Sequence, residues 1–401
     1  MPDLFDRFAK IEQERALLAE TGIPDPFRLV MEKILSPTEA IINGRHTYLV
    51  GTYNYMGLTF DPDVLQAGKD ALDAFGSGTT GSRTLNGTYG LHVKLEEEIA
   101  DFYATKDAMI FSTGYQANLA MCSTLAGSKD YIILDADSHA SIYDGCSLGS
   151  AQIVRFRHND PDDLEKRLRR LPSAAGKLVI IEGVYSMLGD MARMKDLVAA
   201  SKAHDAMIMD DEAHAMGIFG EHGRGVLEEA GVENEIDFVV GTFSKSLGTI
   251  GGYCASNHPK FDLLRYICRP YMFTASLPPS VIATAQAALA KIRADKKSRH
   301  HLLRMSQKLH SGLRIMGYET ATAEAQSAII ALIMPSQEAA VMLWNGLLES
   351  GVYVNVARPP ATPQGMVLVR MSLCAQHSEE VVDKVLSAFQ KVGTALGLLS
   401  Q

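Results

Sequence analysis

The sequence predicts an α/β protein with a large, mostly parallel sheet and a smaller α+β region toward the C-terminus. Apolar runs of four to six residues alternate with helix-like segments from residue 108 to residue 255, which is typical of strands joined by helical crossovers. These runs are nearly continuous in apolar residues, as in strands buried on both faces. A chain of 401 residues is longer than one usual domain, so we expect two.

The N-terminal part of the chain precedes this sheet. Residues 1–50 carry a helical pattern that Pro24 and Pro26 interrupt, so we expect an arm followed by short strand-like pieces. Helices are predicted at 64–75 and 91–103. The loop between them, 76–90, is rich in Gly, Ser and Thr. Such a loop either coils at the surface or lines a ligand site with backbone amides, and we favour the second interpretation.

Polar side chains follow the predicted strands of the sheet. The strands are expected at 108–111, 131–134, 153–156, 178–182, 206–209, 238–242 and 253–255. In parallel sheets, ligands bind beyond the carboxyl ends of the strands. The polar residues at those ends therefore predict one converging site, and they are His139, Ser186, Asp211, His214, Thr242, Ser244 and Lys245.

The C-terminal part begins with long helices over 278–317. Further strands are predicted at 327–334, 352–356 and 366–373, with helices at 338–350 and 378–395. This order suggests a second, smaller domain. We expect an arm at 1–50, a large domain at 51–290 and a small domain at 291–401.

Lys245 is the centre of the predicted site. It lies between two serines, just past a buried strand and before a glycine-rich segment. A lysine that loses solvation there has a lowered pKa and becomes a nucleophile toward carbonyl compounds such as pyridoxal phosphate. A solvated loop lysine is the alternative, and the series of polar strand ends disfavours it.

Two further features suit a cofactor with an aldehyde and a phosphate. Asp211 is the candidate carboxylate for a pyridine nitrogen. Alternation along the strand should point Asp210 to the other face, and Glu182 is a weaker alternative. The strand, glycine turn and helix that begin near Gly114 form either an anion site or a plain helix cap. His139 and His214 could also be ordinary buried histidines.

Composition excludes several classes of protein. The net charge of −9 argues against nucleic acid as the main partner. We expect neither a signal peptide nor a membrane span, because the N-terminus is charged and no apolar run reaches about 18 residues. Five scattered cysteines fit a reducing cytoplasm and show no metal-ligand spacing. Association with the inner face of the membrane stays an open alternative.

Four motifs resemble those of the α-oxoamine synthases, which are pyridoxal-phosphate enzymes with the aspartate-aminotransferase fold, fold type I. They are G-T-F-S-K-S-L-G-T-I-G-G (241–252), D-A-D-S-H-A-S (135–141), E-G-V-Y-S-M-L-G-D (182–190) and D-E-A-H (211–214). The resemblance extends from about residue 25 to residue 395. Segments 51–57, 82–87, 269–279 and 357–363 are most similar to members that use L-serine. Thr80 departs from the family pattern, which has asparagine there.

The resemblance implies a decarboxylative condensation. L-serine and a long-chain acyl thioester, carried by coenzyme A or acyl carrier protein, would give 3-ketodihydrosphingosine and carbon dioxide in the first step of sphingolipid synthesis. It also implies a homodimer with shared active sites. A relative that uses glycine or alanine is the nearest alternative. A non-catalytic subunit is disfavoured because Lys245, Asp211 and His139 are all present, and a regulator because no DNA-binding module is visible.

The resemblance also implies roles for individual residues. Lys245 would hold the cofactor as a Schiff base and move the Cα proton, Asp211 would pair with the pyridinium nitrogen, and His139 would stack on the ring. The ring hydroxyl and phosphate would be held by His214, Ser186, Gly114, Tyr115, Thr242 and Ser244, with Thr274 from the other subunit. The amino acid and the mouth of the site would involve Arg370, Arg358, Asn54 and His139.

Overall fold

The structure is a computed structural model that describes residues 3–399. Its strands are β1 (Met31–Ser36), β2 (Glu39–Ile42), β3 (Arg45–Leu49), β4 (Asp107–Phe111), β5 (Tyr131–Asp135), β6 (Gln152–Phe156), β7 (Lys177–Glu182), β8 (Met207–Asp211), β9 (Phe238–Thr242), β10 (Gly252–Ser256), β11 (Ile329–Met334), β12 (Val352–Tyr353), β13 (Asn355–Ala357) and β14 (Val367–Ser372). Each strand predicted between residues 108 and 255 is present.

The helices connect these strands and cover the sheets. They are α1 (Ala9–Glu20), α2 (Pro62–Phe75), α3 (Gly90–Phe102), α4 (Gly114–Thr124), α5 (Ala140–Leu148), α6 (Pro161–Leu168), α7 (Met194–Lys202), α8 (Val226–Ala230), α9 (Leu264–Ile267), α10 (Arg269–Met272), α11 (Pro279–Ala294), α12 (Lys296–Met316), α13 (Gln337–Glu349) and α14 (Glu379–Ala395). Single 3-10 turns lie at Asp6–Phe8, Pro26–Arg28, Leu58–Phe60, Glu233–Glu235, Phe261–Leu263 and Pro363–Gly365.

The large sheet has seven strands in the order β4-β10-β9-β8-β7-β5-β6. Neighbours from β9 to β6 pair in parallel. Strand β10 is antiparallel to both of its neighbours, β9 and β4. The predicted fold class, an α/β protein with a mostly parallel sheet, is confirmed.

Six of the seven strands of the large sheet contribute buried residues to two separate apolar cores, and β6 contributes Phe156 to one of them. Ile180 packs in one buried cluster and its neighbour Ile181 in the other, and both are fully buried. Side chains point to opposite faces at successive strand positions, so the two clusters are the two faces of the sheet. Because both faces are covered, polar groups can reach a ligand only at the ends of the strands.

Helix α5 was not predicted from the sequence. It has only nine residues, and its Ser, Asp and Gly are weak helix formers. Close packing against α4 compensates, since a Cβ on Gly145 would lie 2.9 Å from Cys122 Cβ. The His139 side chain caps the helix by accepting a hydrogen bond from Ser141 N at 3.2 Å.

The C-terminal region and the N-terminal strands share a sheet. Strands β11, β14 and β13 form one antiparallel sheet, and β12 pairs in parallel with β3 in the order β1-β2-β3-β12. The single strand predicted at 352–356 is therefore wrong, because β12 and β13 belong to different sheets. The division into regions 1–50, 51–290 and 291–401 stays a prediction.

Candidate active site

A cavity of about 310 Å³ lies at the carboxyl ends of the parallel strands. It is bounded by the ends of β7, β8 and β9, by the first turns of α4 and α5, and by Tyr53 from the N-terminal side. The structure brings eight of the predicted site residues together on its wall, namely Gly114, Tyr115, His139, Asp211, His214, Thr242, Ser244 and Lys245.

Lys245 follows β9 and is half-buried in the wall. Burial lowers the pKa of its amine to about 8. The charges of Asp211 and Glu182 oppose this shift, and that of Arg370 adds to it. The Lys245 Nζ atom lies 5.8 Å from the centre of the Tyr53 ring. A substantial share of the amine is therefore neutral near pH 8, the form that attacks a carbonyl.

Asp211 ends β8, and its carboxylate is held by two donors. Asn118 Nδ2 donates to Oδ2 at 2.7 Å, and Ala213 N donates to Oδ1 at 2.9 Å. Asn118 lies one turn into α4 and also donates to Ser141 Oγ at 3.0 Å. Asp211 is buried, so these contacts fix the position of a carboxyl group that has little access to water.

His139 immediately precedes α5, and its backbone is held by the Glu182 side chain. Its backbone N donates to Glu182 Oε1 at 2.6 Å, and its Nδ1 lies 2.7 Å from Ser141 Oγ. Burial lowers the pKa of the imidazole, with Asp211 opposing and Lys245 reinforcing the shift. Burial also raises the pKa of Glu182 well above its ordinary value. Both effects favour neutral groups on this wall.

His214 follows Asp211 and is buried. Its Nδ1 lies 2.7 Å from the Tyr55 hydroxyl. Burial, together with the charges of Lys245 and Arg370, lowers the pKa of His214 well below its usual value. Burial raises that of Tyr55. The contact therefore joins two neutral groups and orients the imidazole without adding a charge to the cavity.

The N-terminus of α4 forms the part of the wall that suits an anion. Thr113 caps the helix by accepting from Gln116 N at 3.0 Å. A Cβ on Gly114 would lie 2.7 Å from Thr242 Cβ, so only glycine lets this turn approach β9 so closely. Thr242 Oγ1 and Ser244 Oγ are 2.9 Å apart beside it. Free amides, hydroxyls and the positive end of the helix dipole meet here.

Arg370 on β14 is buried beside the cavity. Its Nε donates to the Ser186 carbonyl at 2.7 Å and its Nη1 to Ser372 Oγ at 3.2 Å. Its guanidinium lies 4.8 Å from the Tyr53 ring centre. Its Nη2 is buried and has no hydrogen-bond partner within residues 3–399. A buried guanidinium with a free donor is suited to a carboxylate ligand.

Besides Arg370, four predicted residues lie outside the cavity wall. The Ser186 carbonyl accepts a hydrogen bond from Arg370 Nε. The Asn54 side chain donates to Thr59 Oγ1 at 2.8 Å. Thr274 accepts from Gln116 Nε2 at 3.1 Å and lines a different pocket of the chain. Arg358 is paired with Glu14 of α1 at 2.7 Å and lies over the Phe27 ring. Their roles stay predictions.

The wall residues without a role in the sequence analysis include Asn118, Ser141 and Tyr53. Asn118 and Ser141 hold Asp211 and His139, and Tyr53 lies against Lys245 and Arg370. Ser141 belongs to the motif 135–141, and Asn118 lies in the helix that begins near Gly114, but nothing local indicates that their side chains meet. Position in a helix first turn after a sheet strand is the only available signal.

Comparison with known proteins agrees with this geometry. The model of the class I and II aminotransferases matches residues 49–389, so the chain belongs to that family. A serine palmitoyltransferase of Sphingomonas paucimobilis is 56% identical over 397 residues, covering 99% of this chain and 94% of that protein. The relatives thus place the chain among the serine palmitoyltransferases, and the resemblance to α-oxoamine synthases is confirmed.

Solved structures show the same relationship. The serine palmitoyltransferase of Sphingomonas wittichii is 63% identical, with a TM-score of 0.98 and full coverage of both chains. That of S. paucimobilis with bound PLP-myriocin aldimine is 56% identical, with a TM-score of 0.98, and the match covers 99% of this chain and 100% of that one. The relatives therefore include a structure that carries pyridoxal phosphate.

Within residues 3–399, no helix has both the length and the apolar character needed to cross a bilayer. The same residues contain no group of three or more His, Cys, Asp or Glu arranged to hold a metal ion.

Proposed function

We propose that this chain uses pyridoxal phosphate to condense L-serine with a long-chain acyl thioester such as palmitoyl-CoA, giving 3-ketodihydrosphingosine, carbon dioxide and the free thiol. The observation that carries the proposal is the meeting of Lys245, Asp211 and the α4 N-terminus on one cavity. The names of relatives that are 56% and 63% identical support the choice of substrates.

The residues present fit the cofactor. The Lys245 amine would hold the aldehyde carbon, Asp211 the pyridine nitrogen, and His214 the ring hydroxyl. The α4 N-terminus at Gly114, with Thr242 and Ser244, would hold the phosphate, because Gly114 lets this helix end approach β9 closely and all three residues line the cavity. When bound, pyridoxal phosphate accepts the negative charge that develops at the amino acid's Cα.

The chain's own groups would bind the substrate and move its proton. Arg370 would donate from its free Nη2 to the serine carboxylate, because a buried guanidinium binds a planar carboxylate well. Lys245, with a pKa of about 8, would take the Cα proton and return it to the product. His139, kept neutral by burial, would donate a hydrogen bond to the thioester carbonyl.

The first test is a visible absorbance titration of the purified protein. A cofactor band is expected in the wild type and is expected to be lost in Lys245→Ala, while Lys260→Ala, at an exposed lysine, should keep it. L-serine should change the band saturably, and palmitoyl-CoA should then release free CoA. Productive turnover with glycine or alanine but not with serine would contradict the assignment of L-serine as substrate. The absence of a cofactor band after reconstitution with pyridoxal phosphate would contradict the whole proposal.

The proposal includes a homodimer with shared sites. Thr274 lies outside its own chain's cavity, and the neighbouring Phe273 is 71% exposed, which is consistent with a segment that meets a second copy. Mixing inactive Lys245→Ala with a Thr274→Ala variant of lowered activity tests this sharing. If Thr274 acts across the interface, hybrid dimers contain one intact site and activity rises. Additive rates would contradict the sharing.

The carrier of the acyl group and the place of action are also proposals. We infer coenzyme A as carrier and the cytoplasm as location, with the inner face of the membrane as the site where the alkyl product leaves. Initial rates with palmitoyl-CoA and with palmitoyl-acyl carrier protein at equal concentration separate the carriers. Sedimentation with anionic vesicles, with and without product, tests the membrane contact.

A further inference from the structure

His158 lies between two carboxylates, one at the end of β5 and one on the loop that follows β7. Its Nδ1 lies 2.9 Å from Asp135 Oδ1, and its Nε2 lies 3.0 Å from Asp190 Oδ2. Asp137 Oδ2 is 3.7 Å from Nδ1. The Tyr185 ring packs edge-on against the imidazole at 4.5 Å between centres. The side chain of His158 is only 19% exposed, and that of Asp135 is fully buried.

This arrangement favours a proton on each ring nitrogen. Ionised carboxylates only accept hydrogen bonds, so a ring that contacts one at each nitrogen must donate from both. Burial alone would lower the pKa of His158, but the hydrogen bonds and charges of Asp135 and Asp190 outweigh it and raise the pKa to about 10. His158 is thus a fixed imidazolium between two anions.

Each anion belongs to a loop that carries part of the site. Asp135 is the last residue of β5, and the loop that follows it carries His139. The Asp135 carboxylate also accepts hydrogen bonds from Asp137 N at 2.8 Å and from Asn159 N at 2.7 Å. Asp190 closes the loop 183–190, because Tyr185 N donates to its carbonyl at 2.9 Å. Within that loop, the Ser186 carbonyl accepts the hydrogen bond from Arg370 Nε.

We propose that His158 is a positioning residue for the amino-acid substrate, because its imidazolium ties the loop that carries His139 to the loop that holds Arg370. The inference rests on the proposed function for the identity of the substrate. It assigns to His158 no contact with substrate or cofactor. Loss of the tie lets the two loops shift relative to each other, and the groups that would bind the carboxylate lose their mutual geometry.

The test compares two ligands on the holoenzyme with its cofactor bound. L-serine and 2-aminoethanol, which is serine without its carboxylate, are titrated by visible absorbance into the wild type and into His158→Gln. We expect the Kd of serine to rise about tenfold, a loss of about 1.4 kcal/mol, and the Kd of 2-aminoethanol to change less than twofold. His310→Gln, at a buried histidine of α12 bonded to the Thr322 carbonyl, is the matched control.

A second variant and a second readout guard against simple misfolding. Asp190→Asn keeps the size of the side chain and removes one anion. It should weaken the binding of serine and leave the binding of 2-aminoethanol nearly unchanged. In the wild type, ¹⁵N NMR should show both His158 nitrogens protonated at pH 8. A neutral ring at that pH, an unchanged serine Kd in both variants, or equal weakening of the two ligands would overturn the proposal. If the wild type itself fails to bind serine, the proposed function falls, whereas the protonation of His158 is judged independently.

Discussion

Burial shifts the pKa of two side chains in the candidate active site, Lys245 and His214. Lys245 and His214 lose solvation at the strand ends, and both become easier to deprotonate. Asp211 keeps its position because Asn118 and Ala213 supply donors. A nucleophilic amine and a fixed carboxylate in one cavity follow from these local environments.

The lowered pKa of Lys245 predicts the pH dependence of cofactor uptake. The neutral amine is the reactive form, so the rate should rise with pH and level off above a midpoint near 8. The measurement is the rate of visible absorbance change when pyridoxal phosphate is added to the apoprotein between pH 6.5 and 10. A rate that still climbs steeply at pH 10 would indicate a solvated lysine.

Removal of Asn118 should weaken the site through Asp211. Asn118→Ala takes away one donor to a buried carboxylate, and such a bond contributes about 1.5–3 kcal/mol. We expect a comparable loss in the free energy of unfolding, measured by urea denaturation, and weaker retention of the cofactor on dialysis. Asn345→Ala serves as control, because Asn345 contacts Glu349 on an exposed helix surface and should change stability by less than about 0.5 kcal/mol.

At the scale of elements, the first turns of α4 and α5 shape the cavity. Each begins just after a strand of the sheet, and each is capped by its own preceding residue, Thr113 or His139. The two helices pack closely through Gly145, so Asn118 and Ser141 meet between them. The anion-binding end and the carboxylate support are therefore parts of one packed unit.

Gly114→Ala tests the α4 N-terminus as an anion site. The added Cβ would lie 2.7 Å from Thr242 Cβ, so the turn and β9 must separate, at a cost of about 1–3 kcal/mol. We expect at least a tenfold weaker affinity for pyridoxal phosphate and weaker competition by inorganic phosphate. In Gly127→Ala the new Cβ would be 3.5 Å from Asp130 Oδ2, an ordinary contact, and the affinity should stay as in the wild type.

On the scale of the whole molecule, the large sheet separates two chemical environments. Asp211 faces the cavity, while its neighbours Asp210 and Glu212 are buried. Burial raises the pKa of Glu212 to about 7, and that of Asp210 well above its usual value. One motif of consecutive acids thus supplies a carboxyl group to the site and two carboxyl groups with raised pKa values to the interior.

The buried Glu212 predicts a pH-dependent stability. The pKa of Glu212 is higher in the folded than in the unfolded state. Its ionisation therefore lowers the free energy of unfolding as the pH rises from about 4.5 to 7, and above pH 7 the loss stays constant. Glu212→Gln should gain stability relative to the wild type across that interval, by at most about 3 kcal/mol. Urea unfolding at pH 5 and pH 8 measures the difference. The exposed Glu235→Gln should show no such change, and a gain confined to low pH would contradict the prediction.

Much of the fold and part of the site could be predicted from sequence, because their signals are local. Apolar runs identify buried strands, and the residues that follow them must lie at one edge of a parallel sheet. This argument, with the motifs around Lys245 and Asp211, led to the cofactor and the reaction class. Helix α5 was not predicted, because its stability comes from packing against α4 rather than from the helix propensity of its own residues.

The sequence by itself determined the order of strands and helices and the residues at the strand ends. Only the tertiary structure decided which of these side chains meet. Asn118 bonds to Asp211, which is 93 positions away in the sequence, and Arg370 bonds to the Ser186 carbonyl, 184 positions away. Arg358 pairs with Glu14 near the other end of the chain. Periodicity is a property of neighbouring residues, whereas a contact between distant ones depends on how whole elements pack.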